Sequence, residues 1–134
     1  MMDDLKETIL ETFTEDTIIM IHSKATKNKL VAEGIRDTGT LFWITDKLHR
    51  DIVRIQDPIG IVSRVMKNII TTHPFWDGNK RTAFEVADTL LRINGYKIQA
   101  TPSEVEKFTM DVDRLRMSSG EIYKWLKKHI VKIN

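Results

Sequence analysis

The stretch HPFWDGNKRTAF, residues 73–84, packs a histidine, two aromatics, an aspartate, a Gly-Asn pair and two cations into nine positions. A helix beginning near Asn79 would expose unpaired backbone N–H groups at its N-terminus. Gly78, with no Cβ, lets the chain approach a ligand closely, and Asn79 adds a side-chain amide. Lys80 and Arg81 add positive charge where the helix dipole already places partial positive charge. That is unfavourable for a purely structural helix and makes sense if an anion fills the cup, as phosphates do at glycine-led helix N-termini. Asp77 conflicts with an anion site unless a divalent cation joins it to the phosphates, and Mg²⁺ is typically held by one or two carboxylates plus phosphate oxygens. His73 lies beside this cup, and neutral imidazole is a good general base near pH 7. Base, metal carboxylate and anion cup together point to transfer of a phosphorus group onto a hydroxyl. Phe75 would anchor the loop in the core, and Pro74 would end the preceding helix.

Taken one at a time these residues have plainer readings. His73 could cap a helix, Asp77 could serve the helix dipole, and Lys80 could be a solvated surface lysine. The full constellation is what favours chemistry. Elsewhere His22 reads as a packing residue on its helix, and His49 and His129 read as surface residues. Met66 and Trp125 read as core, and Arg36 and Asp37 as an ion pair.

The elements that must position this loop are helical. Thr14 with Glu15 and Asp16 forms an N-cap and acidic first turn, followed by Ile18, Ile19, His22 and Ala25 or Thr26 on one face. Gly34 and Gly39 break the pattern, and Leu41, Ile44 and Leu48 restore it. Asp57-Pro58 starts a helix with a stripe of Ile59, Val62, Val65 or Met66, and Ile69. After the loop, Ala83, Val86 or Ala87, Leu90 and Leu91 face inward until Asn94-Gly95 terminates the helix. GYKIQA alone looks extended. SEVE (Ser103 to Glu106) and SSGE (Ser118 or Ser119, with Glu121) read as capping boxes. The second of these helices carries Ile122, Trp125, Leu126 and Ile130. The expectation is an all-α bundle of about six or seven helices in a single domain over residues 1–134, least regular at residues 24–40 and 72–80. Function tends to sit in such irregular segments.

The bulk properties narrow the function. With 134 residues and 41% apolar content there is one adequate core and no room for two. The 21 basic and 19 acidic residues are well mixed, for a net charge of +2, so nucleic-acid binding is not demanded. A helix-turn-helix over residues 102–129, with Arg114, Arg116, Lys124, Lys127 and Lys128, is a weaker alternative, since Leu115, Ile122 and Trp125 read as packing residues. The absence of cysteine removes a disulfide frame, a thiolate zinc site and a cysteine nucleophile. The start is unlike a signal peptide, and the longest apolar run, IIMI at residues 18–21, is far too short to span a bilayer. A soluble cytoplasmic protein is expected, with no membrane partner.

HPFWDGNKRTAF resembles the signature of the Fic/Doc superfamily, His-x-Phe-x-Asp/Glu-Gly/Ala-Asn-x-Arg, which His73, Phe75, Asp77, Gly78, Asn79 and Arg81 fill throughout. IRDTGTL (Ile35 to Leu41), NKRTAFEVADTLLRINGY and the Ile21-His22 pair resemble the death-on-curing (Doc) branch, over roughly residues 15–130. The resemblance implies a compact helical fold with a short flap before the motif. It also implies transfer of part of ATP, with Mg²⁺, to a protein hydroxyl. His73 would deprotonate the acceptor, Asp77 would hold Mg²⁺, and Gly78, Asn79 and Arg81, with Lys80 beside them, would grip phosphates. The flap, with Gly34, Arg36 and Asp37 at its exit, would present the target. Adenylylating Fic enzymes typically have Gly at the position of Lys80 and a second Arg at that of Phe84. Lys80 with no second arginine is the Doc pattern, which implies transfer of the γ-phosphate to a threonine of elongation factor Tu, and AMP transfer is the alternative. No intact Ser/Thr-x-x-x-Glu-Gly/Asn inhibitory helix is found. The nearest segment is KLVAEG, with Glu33-Gly34 but Lys29 at the Ser/Thr position, so a separate antitoxin partner is expected.

Overall fold

The computed structural model describes residues 2–27 and 34–133. Among them are seven helices and one two-stranded ribbon: α1 (Met2–Thr12), α2 (Glu15–Ala25), α3 (Thr38–Arg54), α4 (Pro58–Thr72), α5 (Asn79–Ile93), β1 (Tyr96–Ile98), α6 (Pro102–Arg114), α7 (Ser119–His129) and β2 (Ile130–Lys132). The all-α bundle expected from the periodicity is what forms.

Helix α4 is the axis of the core. Ile59, Ile61, Val62, Val65, Met66, Ile69 and Ile70 are all buried, and α3, α5, α6 and α7 pack around it. A helix apolar around most of its circumference belongs in the interior. Asp57 caps its start, accepting from the Ile59 N–H at 2.9 Å with Pro58 in the first turn. Tyr123 on α7 donates its hydroxyl to the other Asp57 oxygen, tying the two helices together. The α5 face of Ala83, Val86, Ala87, Leu90 and Leu91 is fully buried, and α2 lies against α5 as well as α3. His73 therefore follows the most deeply buried helix, and the loop to α5 is short. Both ends of that loop are held by core packing.

Several expectations need correction. Helix α6 begins two residues earlier than SEVE suggested. Thr101 is its N-cap, Pro102 takes the first turn, and the capping box pairs Thr101 with Glu104. Proline's fixed φ suits the first helical position, and that selects this frame. Ile130 does not continue α7 but opens β2, which pairs antiparallel with β1 in the register Ile98↔Ile130. The β-branched pair Ile130-Val131 favours the extended form. Leu115, read as packing, is 71% exposed. The sequence reading assigned no helix before Thr14, yet α1 is there. His49 donates through Nε2 to the Phe13 carbonyl at 2.7 Å, joining the α1–α2 turn to α3. His129 stacks on Trp125, which stacks on Phe108, so neither histidine is a free surface group. Of the expected flap, Lys24 and Ala25 finish α2 and Thr38 onward starts α3. Residues 28–33, with Lys29, Glu33 and most of KLVAEG, lie outside the described residues.

Candidate active site

The loop between α4 and α5 is built from its two ends inward. Helix α4 stops at Thr72, and His73 turns the chain with φ 51° and ψ 65°. Pro74 and Phe75 are buried, while His73, Trp76 and Asp77 are exposed. The Phe75 ring lies 3.9 Å from the His22 ring, at 6° to it. The Asn79 side chain closes the loop from the other end: Oδ1 accepts from the Phe75 N–H at 3.0 Å and Nδ2 donates to the Phe75 carbonyl at 2.9 Å. Both polar ends of that amide are spent on the loop, so what Asn79 offers outward is its backbone N–H.

Beneath the loop, His22 donates from Nε2 to the Asp77 carbonyl at 2.8 Å. This bond places the imidazole proton on Nε2. Gly78 sits at φ 77°, and a Cβ there would lie 2.5 Å from the Thr26 methyl carbon and 3.4 Å from His22 Nε2. Helix α2 is thus docked directly under the loop, and only glycine leaves room for it. The Asp77 carboxylate faces outward, with Oδ1 accepting from the Gly78 N–H at 2.8 Å. No side chain caps the start of α5.

The two cations differ. Lys80 pairs with Asp113 on α6 at 3.2 Å, with both side chains partly exposed. The Arg81 side chain is exposed and makes no hydrogen bond or ion pair with the described residues. It lies one turn before Glu85. Burial raises the Glu85 carboxyl above its ordinary value, Asp88 raises it further, and Arg81 and Arg92 oppose both. Phe84 packs partly buried against the core.

On the other flank, residues 34–37 lie along the loop. Ile35 forms an antiparallel bridge with Phe75, and the Trp76 N–H donates to the Gly34 carbonyl at 3.4 Å. The expected Arg36–Asp37 ion pair is absent. Arg36 Nε donates to the His73 carbonyl at 2.6 Å and Nη2 to the Thr72 carbonyl at 2.8 Å. Asp37 caps α3 instead, Oδ1 accepting from the Thr40 N–H at 3.0 Å. That bond leads the causes holding its carboxyl below the usual aspartate value. An open groove lined by Asp37, Gly39, Thr40, Trp43 and Thr72 runs beside the end of α4.

No group of three or more His, Cys, Asp or Glu suited to a metal occurs among the described residues. A cation at this loop would take Asp77 as its protein ligand and draw the rest from substrate and water. That donor set fits Mg²⁺, which keeps its waters and favours carboxylate with phosphate oxygens over an all-protein cage.

Sequence reasoning gave His22 only a packing role, put Thr26 no further than on the same helix face as the alternative to Ala25, and had no place for Asp113. The one signal for His22 was its position in the Ile21-His22 pair. Thr26 and Asp113 reach the site through tertiary packing, which no local pattern encodes.

A helical bundle that presents an exposed imidazole and a carboxylate beside an uncapped helix start brings a candidate base next to an anion-binding helix end. The chain belongs to the Fic/DOC family, whose sequence profile matches residues 12–91. Members are in general enzymes that use ATP and transfer nucleotide-derived groups to proteins. No curated protein matches the chain. No helix among the described residues is long and apolar enough to cross a membrane.

Proposed function

We propose that this chain is a Doc-like toxin that moves the γ-phosphate of ATP onto a serine or threonine hydroxyl of a cytoplasmic protein, a translation elongation factor being the favoured target. A separate antitoxin would restrain it. The observation that carries the reading is the pair Lys80 and Phe84. Lys80 stands where adenylylating relatives have glycine, and Phe84, packed against the core, stands where they have a second arginine.

In this reading His73 accepts the proton of the acceptor hydroxyl. The freed oxygen bonds to the γ-phosphorus, the bond from that phosphorus to the β–γ bridging oxygen breaks, and ADP leaves. The N–H groups at the start of α5, with Arg81 and Lys80, hold phosphate oxygens. Asp77 would hold Mg²⁺, which supplies charge neutralisation when bound. Gly34, Arg36 and Asp37 border the acceptor side.

The test is one incubation of the protein and a cell extract with α- and γ-labelled ATP in separate tubes. Label from γ but not α should appear on protein, and His73→Ala should lower it about 10²-fold or more while leaving ATP affinity unchanged. Label from α would make the enzyme an adenylyltransferase. Wild-type labelling by His73→Ala would remove His73 as the base.

A further inference from the structure

We infer that Arg36 is a positioning residue for His73, so that the segment just before α3 sets the geometry of the base. The inference rests on the reading of His73 as the base, and it is drawn from what surrounds the His73 backbone.

His73 holds a left-handed conformation, shared among the described non-glycine residues only with Arg116. Left-handed backbone is disfavoured for any residue with a Cβ. It is doubly awkward here, because a residue followed by proline is pushed toward extended conformations. Such a conformation persists only where its surroundings impose it. The intrahelical bond from the His73 N–H to the Ile69 carbonyl is long, at 3.3 Å.

The imposing groups come from residues 36 and 37. Arg36 forks over the end of α4, with Nε on the His73 carbonyl and Nη2 on the Thr72 carbonyl, at 2.6 and 2.8 Å. The backbone N–H groups of Arg36 and Asp37 both donate to the Pro74 carbonyl, at 2.8 and 3.2 Å. Three successive carbonyls, those of residues 72, 73 and 74, are therefore oriented by two residues of one segment. The guanidinium also meets the negative end of the α4 dipole. Asp37, the nearest acid in sequence, turns its carboxylate to the α3 cap, so the Arg36 charge stays on the helix end. A planar fork can serve two carbonyls at once, whereas a lysine ammonium is a point charge. The consequence is coupling: when residues 34–37 leave the loop, His73 loses the groups that hold its backbone and with them its aim at the acceptor.

The test uses full-length protein with labelled histidine, as wild type and as Arg36→Ala, Arg36→Lys and His73→Ala. The His73 backbone carbon and amide signals, assigned by their loss in His73→Ala, report its conformation without any acceptor. ATP affinity is titrated separately, and transfer is read from γ-labelled ATP and cell extract. Arg36→Ala should move the His73 signals out of the left-handed range and lower transfer about a hundredfold, the scale of a misplaced catalytic group, with ATP affinity unchanged. Arg36→Lys should recover only part of both effects. Unchanged His73 signals in Arg36→Ala would overturn the inference, as would full recovery by Arg36→Lys or a loss of ATP affinity that accounts for the lost transfer. If His73→Ala transfers like wild type, the base reading fails, and the shifted signals in Arg36→Ala then separate that failure from the conformational one.

Discussion

Gly78 is the residue on which the loop's position depends most directly. Its φ of 77° and the 2.5 Å approach of a hypothetical Cβ to the Thr26 methyl carbon are two separate penalties. Gly78→Ala should therefore destabilise the protein by about 2–4 kcal/mol, the sum of backbone strain and overpacking. Adding Thr26→Ser removes the offending methyl and keeps the hydroxyl that bonds the His22 carbonyl. The double variant should recover the packing share and retain about 1–2 kcal/mol of strain. Urea unfolding of the three proteins decides it. No recovery in the double variant would mean that α2 is not what confines Gly78. His22 is the partner in this arrangement, since it stacks on Phe75 and holds the Asp77 carbonyl. A histidine on an apolar helix face looks like packing in the sequence, and it is packing; its hydrogen bond to a residue 55 positions away is invisible to periodicity.

The helices test the reading of starts and stops. Thr101 and Ser118 each accept from the N–H three residues on, while Glu104 and Glu121 return the bond to the cap N–H. Thr101→Ala and Ser118→Ala should each lower stability by about 1 kcal/mol. The two caps serve different helices, so their effects should add. Ser103→Ala, by contrast, should change stability by less than about 0.5 kcal/mol, since Ser103 lies inside α6 and caps nothing. Thermal unfolding separates these cases, and a full cap loss at Ser103 would restore the later start of α6. Asp57-Pro58, Asn94-Gly95 and Ser118 with Glu121 were legible because each is a local signal at a fixed offset. The stripes of α3, α4 and α5 were legible because one face of each meets the same core. The β1–β2 ribbon was half legible: GYKIQA reads as extended, but its partner Ile130–Lys132 follows α7 without a break and is defined only by pairing. In the site, the residue types and order of residues 73–81 were enough to raise the chemistry. The division of labour was not, because Asn79 turning inward, Lys80 meeting Asp113 and Arg36 crossing to α4 all depend on long-range packing.

The molecule as a whole carries two kinds of carboxylate, and their opposite shifts predict its response to acid. Glu104 and Glu121 are held below the ordinary glutamate value of 4.5, first by the backbone N–H groups of Thr101 and Ser118 that they accept from. Asp37 is held below 3.8, chiefly by the Thr40 N–H. A group with a lowered folded value contributes stability above its unfolded value and loses that contribution as pH falls through the folded one. The caps of α6 and α7 should therefore weaken below about pH 4.5, and that of α3 only below about pH 3.8. Glu85 has the reverse sign: burial, then Asp88, raises its carboxyl above 4.5. Its contribution is present below the unfolded value and lost as pH rises through the folded one, so at neutral pH the ionised side chain works against the fold. Glu85→Gln should raise stability at pH 7 by roughly 0.5 kcal/mol or less, since the group is partly exposed and screened by solvent. The gain should vanish well below pH 4.5, where the glutamate is protonated in both states. Glu104→Gln with Glu121→Gln should do the opposite, lowering stability at pH 7 and flattening the acid limb. Urea midpoints of the three proteins from pH 3 to pH 7 test both signs at once. A Glu85→Gln gain that persists at pH 3 would assign the effect to packing rather than charge.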